Sequence, residues 1–351
     1  MKNLSWANKI MFFLNIVLTI LTFLAYILPF LAPKLFPFLS VLTLVLPLML
    51  IFNLFFFIYW GIQMKRQILL SSLVLLMGIT FINKFYKFSG ADIAPSDNDF
   101  TVMSYNVRLF NLYKWIPRDD VPELIEEFIK DVNPDILCIQ EYSEGKINLR
   151  TYQHKYILMK GENTLTGQAI FSKYPIIGKG DIVFPNSSNN AIYADIKRGQ
   201  DTIRVYNMHL QSIKITPDVH ELNEDINGIS EQKSKKMIKR MSLAFKAQQE
   251  QAEILMNHKK NSKFAEIICG DMNNSAFSFV YRSIRGNLND AFEEAGTGFG
   301  KSYDFNYYPA RIDYIFADKK MQVKKFENYP DFINSDHFPI VARLSMPNKR
   351  N

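Results

Sequence analysis

Residues 135–141 read DILCIQE, an almost continuous apolar run that ends in a carboxylate. A run of this kind is typical of a strand buried on both faces, in a sheet that helices cover. Before it, residues 121–132 carry apolar side chains at helical spacing, and the pattern stops at Asn133 and Pro134. A helix that leads into such a strand predicts a layered α/β domain.

Strand patterns of the same kind continue along the chain. They are predicted at 100–106, 168–171, 190–196, 202–209, 266–270, 312–316 and 340–344, and a long helical segment lies at about 231–258. Polar side chains capable of chemistry stand at the strand ends: Asn106, Glu141, His209, Asp271, Asn273, Asp336 and His337. Because active sites of α/β sheets collect at strand ends, the repetition predicts a single site.

The composition of the first ninety residues is not that of a water-soluble domain. They contain seven basic residues and no Asp or Glu, which leaves 34 Lys and Arg against all 34 acidic residues in 91–351. The chain's net charge of +7 therefore comes from its hydrophobic first quarter. This charge does not indicate a nucleic-acid partner for the second part, which is formally neutral.

Three apolar segments, at 10–31, 36–60 and 68–88, precede a polar linker at 89–99. The first two have the roughly 20 apolar residues that a bilayer core requires. The third has only 15 residues before Asn83 and Lys84, whose side chains can snorkel to the membrane surface. We therefore expect an all-helical membrane region of about three spans at 1–88, followed by a soluble domain at 100–347.

Basic residues in the short loops predict the orientation of these spans. The residues best placed in the cytoplasm are Lys2, Lys9, Lys65 and Arg66. The loop at 32–35 is then outside, and three spans deliver the domain to the outer side. Lys84 and Lys87 weigh against this arrangement, and a third segment that does not cross would leave the domain in the cytoplasm. The prediction is a multi-pass cell-membrane protein with an extracytoplasmic domain.

Six segments of the soluble part together resemble the endonuclease/exonuclease/phosphatase superfamily, which has the DNase I-like fold. They are SYNVR at 104–108, IQE at 139–141, NMHL at 207–210, GDMN at 270–273, RIDYIF at 311–316 and SDHFP at 335–339. They occur in the family's order and extend across nearly all of 101–345. The resemblance implies a four-layer sandwich, in which helices flank two β-sheets, and a metal-dependent phosphoesterase activity.

The resemblance also implies a cofactor and its ligands. Hydrolysis of a phosphodiester needs a hard cation to neutralise a phosphate oxygen, and carboxylates suit Mg²⁺. Glu141 matches the family's ligand, Asn106 lies beside it, and Asp336 completes the metal or water shell. Mn²⁺ could replace Mg²⁺.

The other matched residues are implied to be catalytic. Asp271 would orient and deprotonate the attacking water, and Asn273 would donate to the phosphate. His337 would act as an imidazolium on a phosphate oxygen, with Asp313 as its orienting carboxylate. His209 matches a second histidine that assists the leaving oxygen. A catalytically silent binding protein would be expected to have lost at least one residue of this set.

The activity we expect is that of a nuclease or phosphodiesterase, with a lipid phosphodiesterase or phosphatase as the alternative, so the substrate is left open between nucleic acid and a phospholipid head group. Arg108 stands where the apurinic-endonuclease members have an acidic residue, and these members also lack the histidine of NMHL. Both departures favour the DNase I, sphingomyelinase and phosphatase branches. The Gly- and Tyr-rich segment 296–308 either borders the cleft or is a plain loop. The basic run that begins at Lys233 is either a solvated helix face or a contact for anionic lipid or a phosphate backbone.

Overall fold

The computed structural model of the chain describes residues 4–160, 166–213, 231–305 and 308–347. Its first helices are α1 (Trp6–Ala25), α2 (Pro37–Val41), α3 (Leu46–Ile62), α4 (Ile68–Met77) and α5 (Ile79–Phe85). The later helices are α6 (Val121–Val132), α7 (Glu231–Lys259), α8 (Phe279–Arg285) and α9 (Ala291–Ala295). The strands are β1 (Asp99–Asn106), β2 (Ile136–Tyr142), β3 (His154–Lys160), β4 (Thr166–Ser172), β5 (Ile176–Val183), β6 (Asn190–Arg198), β7 (Asp201–His209), β8 (Ala265–Asp271), β9 (Asn289–Asp290), β10 (Asp313–Ala317), β11 (Gln322–Asn328) and β12 (Ile340–Ser345).

The strands form two six-stranded sheets. Their orders are β11-β12-β1-β2-β4-β3 and β5-β6-β7-β8-β10-β9. In the first sheet β1 and β2 are parallel, and in the second β7 and β8 are parallel. The strands that flank these two pairs run antiparallel to them. These mixed sheets confirm the predicted α/β class.

Helices and sheets stack in four layers. The position of β2, with a buried layer on each face, explains why its sequence is apolar throughout. Ile136 and Cys138 face the core between the two sheets, whereas Leu137 and Ile139 face the layer that contains α6. All four are fully buried, and each large aliphatic side chain contributes about 1.5–3 kcal/mol by leaving water. The outer face of the second sheet is covered by α7 and α8. The expected four-layer sandwich is confirmed.

Two helical segments of the N-terminal part, the predicted membrane region, are long and apolar enough to cross a bilayer, at Trp6–Phe30 and Pro37–Ile62. The third predicted span is a pair, α4 and α5, bent by 67° at Gly78, and it makes a third span only if the pair crosses as one. A Cβ at Gly78 would lie 2.1 Å from Oη of Tyr26. That hydroxyl donates to the Val74 carbonyl at 2.8 Å. The bend therefore follows from packing against α1.

The membrane region has its polar side chains inside and its apolar side chains outside. Asn15 of α1 is fully buried, donates to Oγ of Ser71 at 3.0 Å and accepts from Nε1 of Trp60 at 3.0 Å. This one amide therefore joins α1, α3 and α4. Phe13 and Phe55, by contrast, are 64% and 59% exposed on the outside. Buried polar contacts between helices and an apolar exterior are typical of helices surrounded by lipid.

The predicted linker at 89–99 lies against the domain. The Ile93 N–H donates to the Lys324 carbonyl at 3.0 Å, and Nζ of Lys324 donates to Oγ of Ser96 at 2.8 Å. The same ammonium lies 2.8 Å from Oδ1 of Asp99. These contacts place the chain along β11 after it leaves the membrane region, so the two parts are not joined by a free tether.

Candidate active site

Strand register brings three of the predicted residues into one row. In the second sheet His209 at the end of β7 is the register partner of Asp271 at the end of β8. Asp313, the first residue of β10, is paired with the same Asp271 from the other side. Polar residues that are more than forty positions apart in the sequence are thereby adjacent at one edge of a sheet.

The first sheet contributes Asn106 and Glu141 to the same place. Glu141 has a left-handed backbone, with φ at 50°, and it lies where the β2–β4 register shifts between Ile139 and Tyr142. An irregularity of this kind redirects a side chain that a regular strand would point elsewhere. Nδ2 of Asn106 lies 3.3 Å from Oε1 of Glu141 and 3.0 Å from Oδ2 of Asp271. The Asn106 amide therefore links the two sheets.

His337 and Asp313 form a buried pair. Nδ1 of His337 lies 2.9 Å from Oδ2 of Asp313, and its Nε2 lies 3.6 Å from Oδ2 of Asp271. Burial alone lowers the pKa of His337, but the charges of Asp313 and Asp271 outweigh it and raise the pKa to about 10. The ring is therefore an imidazolium at neutral pH.

Asp271 is the centre of the cluster. Its carboxylate accepts from the Asn273 backbone N–H at 2.7 Å and lies 3.5 Å from Nε2 of His209. Burial raises the pKa of Asp271 to about 6 and lowers the pKa of His209 below its ordinary value. The Asn273 side chain donates to Asp271 at 3.1 Å and to the Leu210 carbonyl at 3.0 Å. Asn273 therefore orients Asp271 in this arrangement, and donation to a phosphate would require it to release one of these bonds.

Asp336 and Arg108 lie at the rim of the cluster. Nε of Arg108 is 3.4 Å from Oδ2 of Asp336, and its guanidinium stacks over Trp115 at 4.4 Å. Ser335 fixes this segment, since its Oγ donates to the Asn106 carbonyl at 2.9 Å. All eight predicted site residues therefore belong to one region of the molecule.

Residues of the segment 296–308 that sequence reasoning did not single out support this site. The ring of Tyr303 lies edge-on to His337, with centroids 4.9 Å apart. Oγ of Ser302 accepts from the backbone N–H of Asp313 at 3.0 Å. In the sequence, the only sign that this segment borders the site was its position just before RIDYIF. Residues 306–307 of the segment lie outside the described residues. Of the two interpretations of this segment, the structure favours the one in which it borders the cleft.

A metal ion fits the chemistry of the cluster. Ligand atoms of Asp271, Asp313 and His337 all lie within 4.8 Å of one another, but they could hold a metal together only where His337 is deprotonated. Desolvation raises the pKa of the half-buried Glu141 as well as that of the buried Asp271, which indicates carboxylates with too little positive charge around them. Oδ1 of Asp313 is buried and has no hydrogen-bond partner among the described residues. A bound cation would supply the missing charge.

Sequence comparison assigns the domain. A model described as the endonuclease/exonuclease/phosphatase family matches residues 103–337. The chain belongs to this family. Its domain is accordingly that of an ester-bond hydrolase, with a fold that acts on phosphodiester substrates such as nucleic acids. A second model, described as a domain of unknown function (DUF8431), matches residues 8–85. A search of curated proteins found no match.

Solved structures with this fold have low sequence identity to the chain. The human Nocturnin catalytic domain with bound sulfate anion has 18% identity and a TM-score of 0.53, over 73% of this chain and 98% of that one. Humanized D. rerio TDP2 has 14% identity and a TM-score of 0.52, over 71% of this chain and 100% of that one. The Bacteroides thetaiotaomicron mannosyl-6-phosphatase has 19% identity and a TM-score of 0.50, over 70% of this chain and 100% of that one. At these identities the likeness concerns the fold alone.

Proposed function

We propose that the protein is a membrane-anchored, Mg²⁺-dependent phosphoesterase that hydrolyses phosphodiester bonds by in-line attack of water. The observation that carries this proposal is the convergence of Asn106, Glu141, Asp271 and the His337–Asp313 pair at one edge of two packed sheets. This arrangement combines a site for a hard cation, a buried carboxylate base and a permanently charged donor. The intact set also counts against a catalytically silent binding protein.

Glu141 would hold the metal, with Asn106 and Asp336 contributing to its shell. When bound, Mg²⁺ neutralises the charge of the phosphate oxygens and orients the phosphoryl group for displacement. Four carboxylates lie in or beside the cluster, at 141, 271, 313 and 336. Together these carboxylates attract a hard cation, and without one their negative charge would repel an anionic substrate.

Asp271 is the proposed base. Its pKa of about 6 suits the removal of a proton from the attacking water near neutral pH. The bond from the water oxygen to phosphorus forms as the bond to the leaving oxygen breaks. The His337 imidazolium donates to the phosphoryl oxygen on which charge grows. His209, neutral in this environment, would donate a hydrogen bond to the leaving oxygen.

Removal of the metal is expected to abolish hydrolysis. Full-length protein purified in detergent should cleave the soluble diester bis(p-nitrophenyl) phosphate when Mg²⁺ is present. Addition of EDTA should reduce the rate to the background, and Mg²⁺ in excess of the chelator should restore it. Mn²⁺ should restore part of the activity. A rate that EDTA does not change would contradict the metal-dependent mechanism.

Contacts between the domain and the first loop support an extracytoplasmic location. Nζ of Lys34 lies 2.6 Å from Oε2 of Glu253, and Nε of Arg282 donates to the Pro29 carbonyl at 3.1 Å. The domain is thus on the side of the 32–35 loop, opposite the loop that contains Lys65 and Arg66. The positive-inside rule assigns the latter loop to the cytoplasm.

A C-terminal tag is therefore expected to be accessible to protease in right-side-out membrane vesicles. A tag at the N-terminus is the matched control, and it should be cut only after the vesicles are opened. The reverse pattern would place the catalytic domain in the cytoplasm. This assay measures topology without requiring any activity.

A further inference from the structure

The loop that leaves the active site after β8 runs directly into the membrane region. Asn273 contacts Asp271, and Phe277, four residues later, is buried in a cluster with Ala25, Leu28 and Leu46. Ala25 and Leu28 belong to the end of the first candidate span, and Leu46 to the second. Four residues extend over at most about 14 Å. The catalytic carboxylate therefore lies close to the domain-facing ends of the spans.

A second loop makes the same connection independently. Lys87 and Gly298 form an isolated β-bridge, and the Phe299 ring lies 5.1 Å from that of Phe85. Four residues after Phe299, Tyr303 packs on His337. The segment that borders the catalytic histidine is therefore held at its other end by the chain that emerges from the membrane region.

A third contact reaches Asp313. Arg311, two residues before it, donates to the Lys84 carbonyl at 3.1 Å and lies 2.8 Å from Oδ2 of Asp290. Arg311 is buried, and the Asp290 carboxylate contributes to the raised pKa of its guanidinium. Three loops that each contain or contact an active-site residue therefore end on the same face of the domain, against the helices. With the two candidate spans in a bilayer, as proposed, this face is directed to the bilayer.

Large rings at this junction remain exposed. Phe88 is 85% exposed and Phe299 is 40% exposed. The head-group layer on each side of a bilayer is roughly 5–8 Å thick. A ring that is exposed beside the ends of the spans lies where it can enter this layer.

The first ten residues of α7, 231–240, contain five basic residues and one acidic residue, and none of the ten is buried. Further along this helix, Gln249 and Glu253 both contact Lys34 in the loop between the first two candidate spans. A basic surface attracts the phosphates of anionic lipids and of nucleic acids alike. The choice between the two therefore rests on the three loops described above.

We infer that the substrate is a phospholipid of the bilayer that anchors the protein, hydrolysed at its head-group phosphate in cis. This inference rests on the proposed phosphodiesterase chemistry and names its substrate class. Water adds to the phosphorus as one P–O ester bond breaks, Asp271 takes the proton of the water, and the leaving alkoxide takes a proton from solvent to become an alcohol. The N-terminal helices that anchor the protein hold the cleft at the level of the head groups, so the lipid remains in the bilayer as it reacts.

A two-population vesicle experiment tests this inference. Full-length protein is reconstituted into vesicles of phosphatidylethanolamine and phosphatidylglycerol, and protein-free vesicles of the same lipids in deuterated form are added with Mg²⁺. Mass spectrometry separates products of the protein's own bilayer from those of the other vesicles. We expect the undeuterated lipid to be cleaved at least about tenfold faster, because the tether raises its effective concentration.

Bis(p-nitrophenyl) phosphate and supercoiled plasmid are included in the same reaction. Cleavage of the soluble diester without lipid cleavage, or equal rates for the two vesicle populations, overturns the inference and leaves the proposed chemistry standing. Plasmid nicking with intact lipids also overturns the inference and leaves the proposed chemistry standing, and it indicates a membrane-anchored nuclease. If the soluble diester, the plasmid and the lipids all remain intact, both the chemistry and the inference are wrong.

A matched pair of variants separates membrane contact from folding. Phe88→Asp places a carboxylate at the junction, and Phe264→Asp places one before β8, at the end of this strand opposite Asp271. Both rings are exposed, at 85% and 37%. We expect Phe88→Asp to reduce cleavage of cis lipid several-fold with the soluble diester unaffected, and Phe264→Asp to change neither rate. An equal effect of the two variants on cis lipid would overturn the inference.

Discussion

Replacing Glu141 by Ala is expected to reduce metal-dependent kcat/KM by about 10³-fold, the equivalent of roughly 4 kcal/mol of transition-state stabilisation. Glu141 is the proposed metal ligand, and its carboxylate is held beside Asn106 by a left-handed backbone at a strand irregularity. Because burial already raises the pKa of this carboxyl group, its removal is not expected to lower the free energy of unfolding. Hydrolysis of the soluble diester across a Mg²⁺ titration measures the effect.

Glu144→Ala is the control for this prediction. Glu144 is exposed, lies three residues after Glu141 and should tolerate the same truncation without loss of activity. Thermal unfolding followed by circular dichroism establishes that both variants are folded. If the Glu141 variant retains wild-type activity at every Mg²⁺ concentration, the metal assignment is wrong.

The second large effect concerns the His337–Asp313 pair. Asp313→Ala and His337→Ala are each expected to lower kcat by about 10²–10³-fold, as loss of a preorganised transition-state donor does. The double variant should be hardly worse than either single one. The reason is that the 2.9 Å contact and the charge of Asp313 contribute most, together with the charge of Asp271, to raising the pKa of a ring whose burial lowers it. Additive losses in the double-mutant cycle would argue against a coupled pair.

The pH profile and a conservative variant distinguish charge from position. With Asp313 present, the raised pKa keeps His337 protonated up to about pH 10. In Asp313→Ala that pKa falls, so the remaining activity should be lost at a lower pH on the alkaline side than in the wild type, whereas the acidic side, which Asp271 with its pKa of about 6 controls, should change little. Asp313→Asn retains an acceptor for Nδ1 but not the charge, and we expect it to resemble the Ala variant. Recovery of wild-type activity by Asn would mean that Asp313 only positions the ring.

Local pattern was enough to predict many elements of this protein. The apolar run 135–141 predicted a strand buried on both faces, and β2 has this burial because its alternate side chains enter two different cores. The six family segments also predicted the eight site residues, since strand-end residues of packed sheets converge wherever the register aligns them. Their individual catalytic roles stay predictions, to be tested by the variants above.

The bend of the third apolar segment could not be predicted in the same way. Its composition is that of one span, and the break at Gly78 follows from the close approach of Tyr26, about fifty residues earlier in the chain. The position of Tyr303 on His337 likewise depends on the strand pairing that brings 303 beside 337. Contacts between such distant residues leave no periodic signal in either segment.

Sequence by itself determined the layered α/β class, the family and the apolar character of the first quarter, and it supplied the eight candidate site residues that the fold brings together. These properties depend on side-chain chemistry and on short-range periodicity, and both can be read residue by residue. Tertiary structure decided how Glu141 is turned into the site, how His337 acquires its charge and which face of the domain lies against the membrane region. Each of these depends on the distance between residues far apart in the chain, and only the packing of the two sheets and the helices sets that distance.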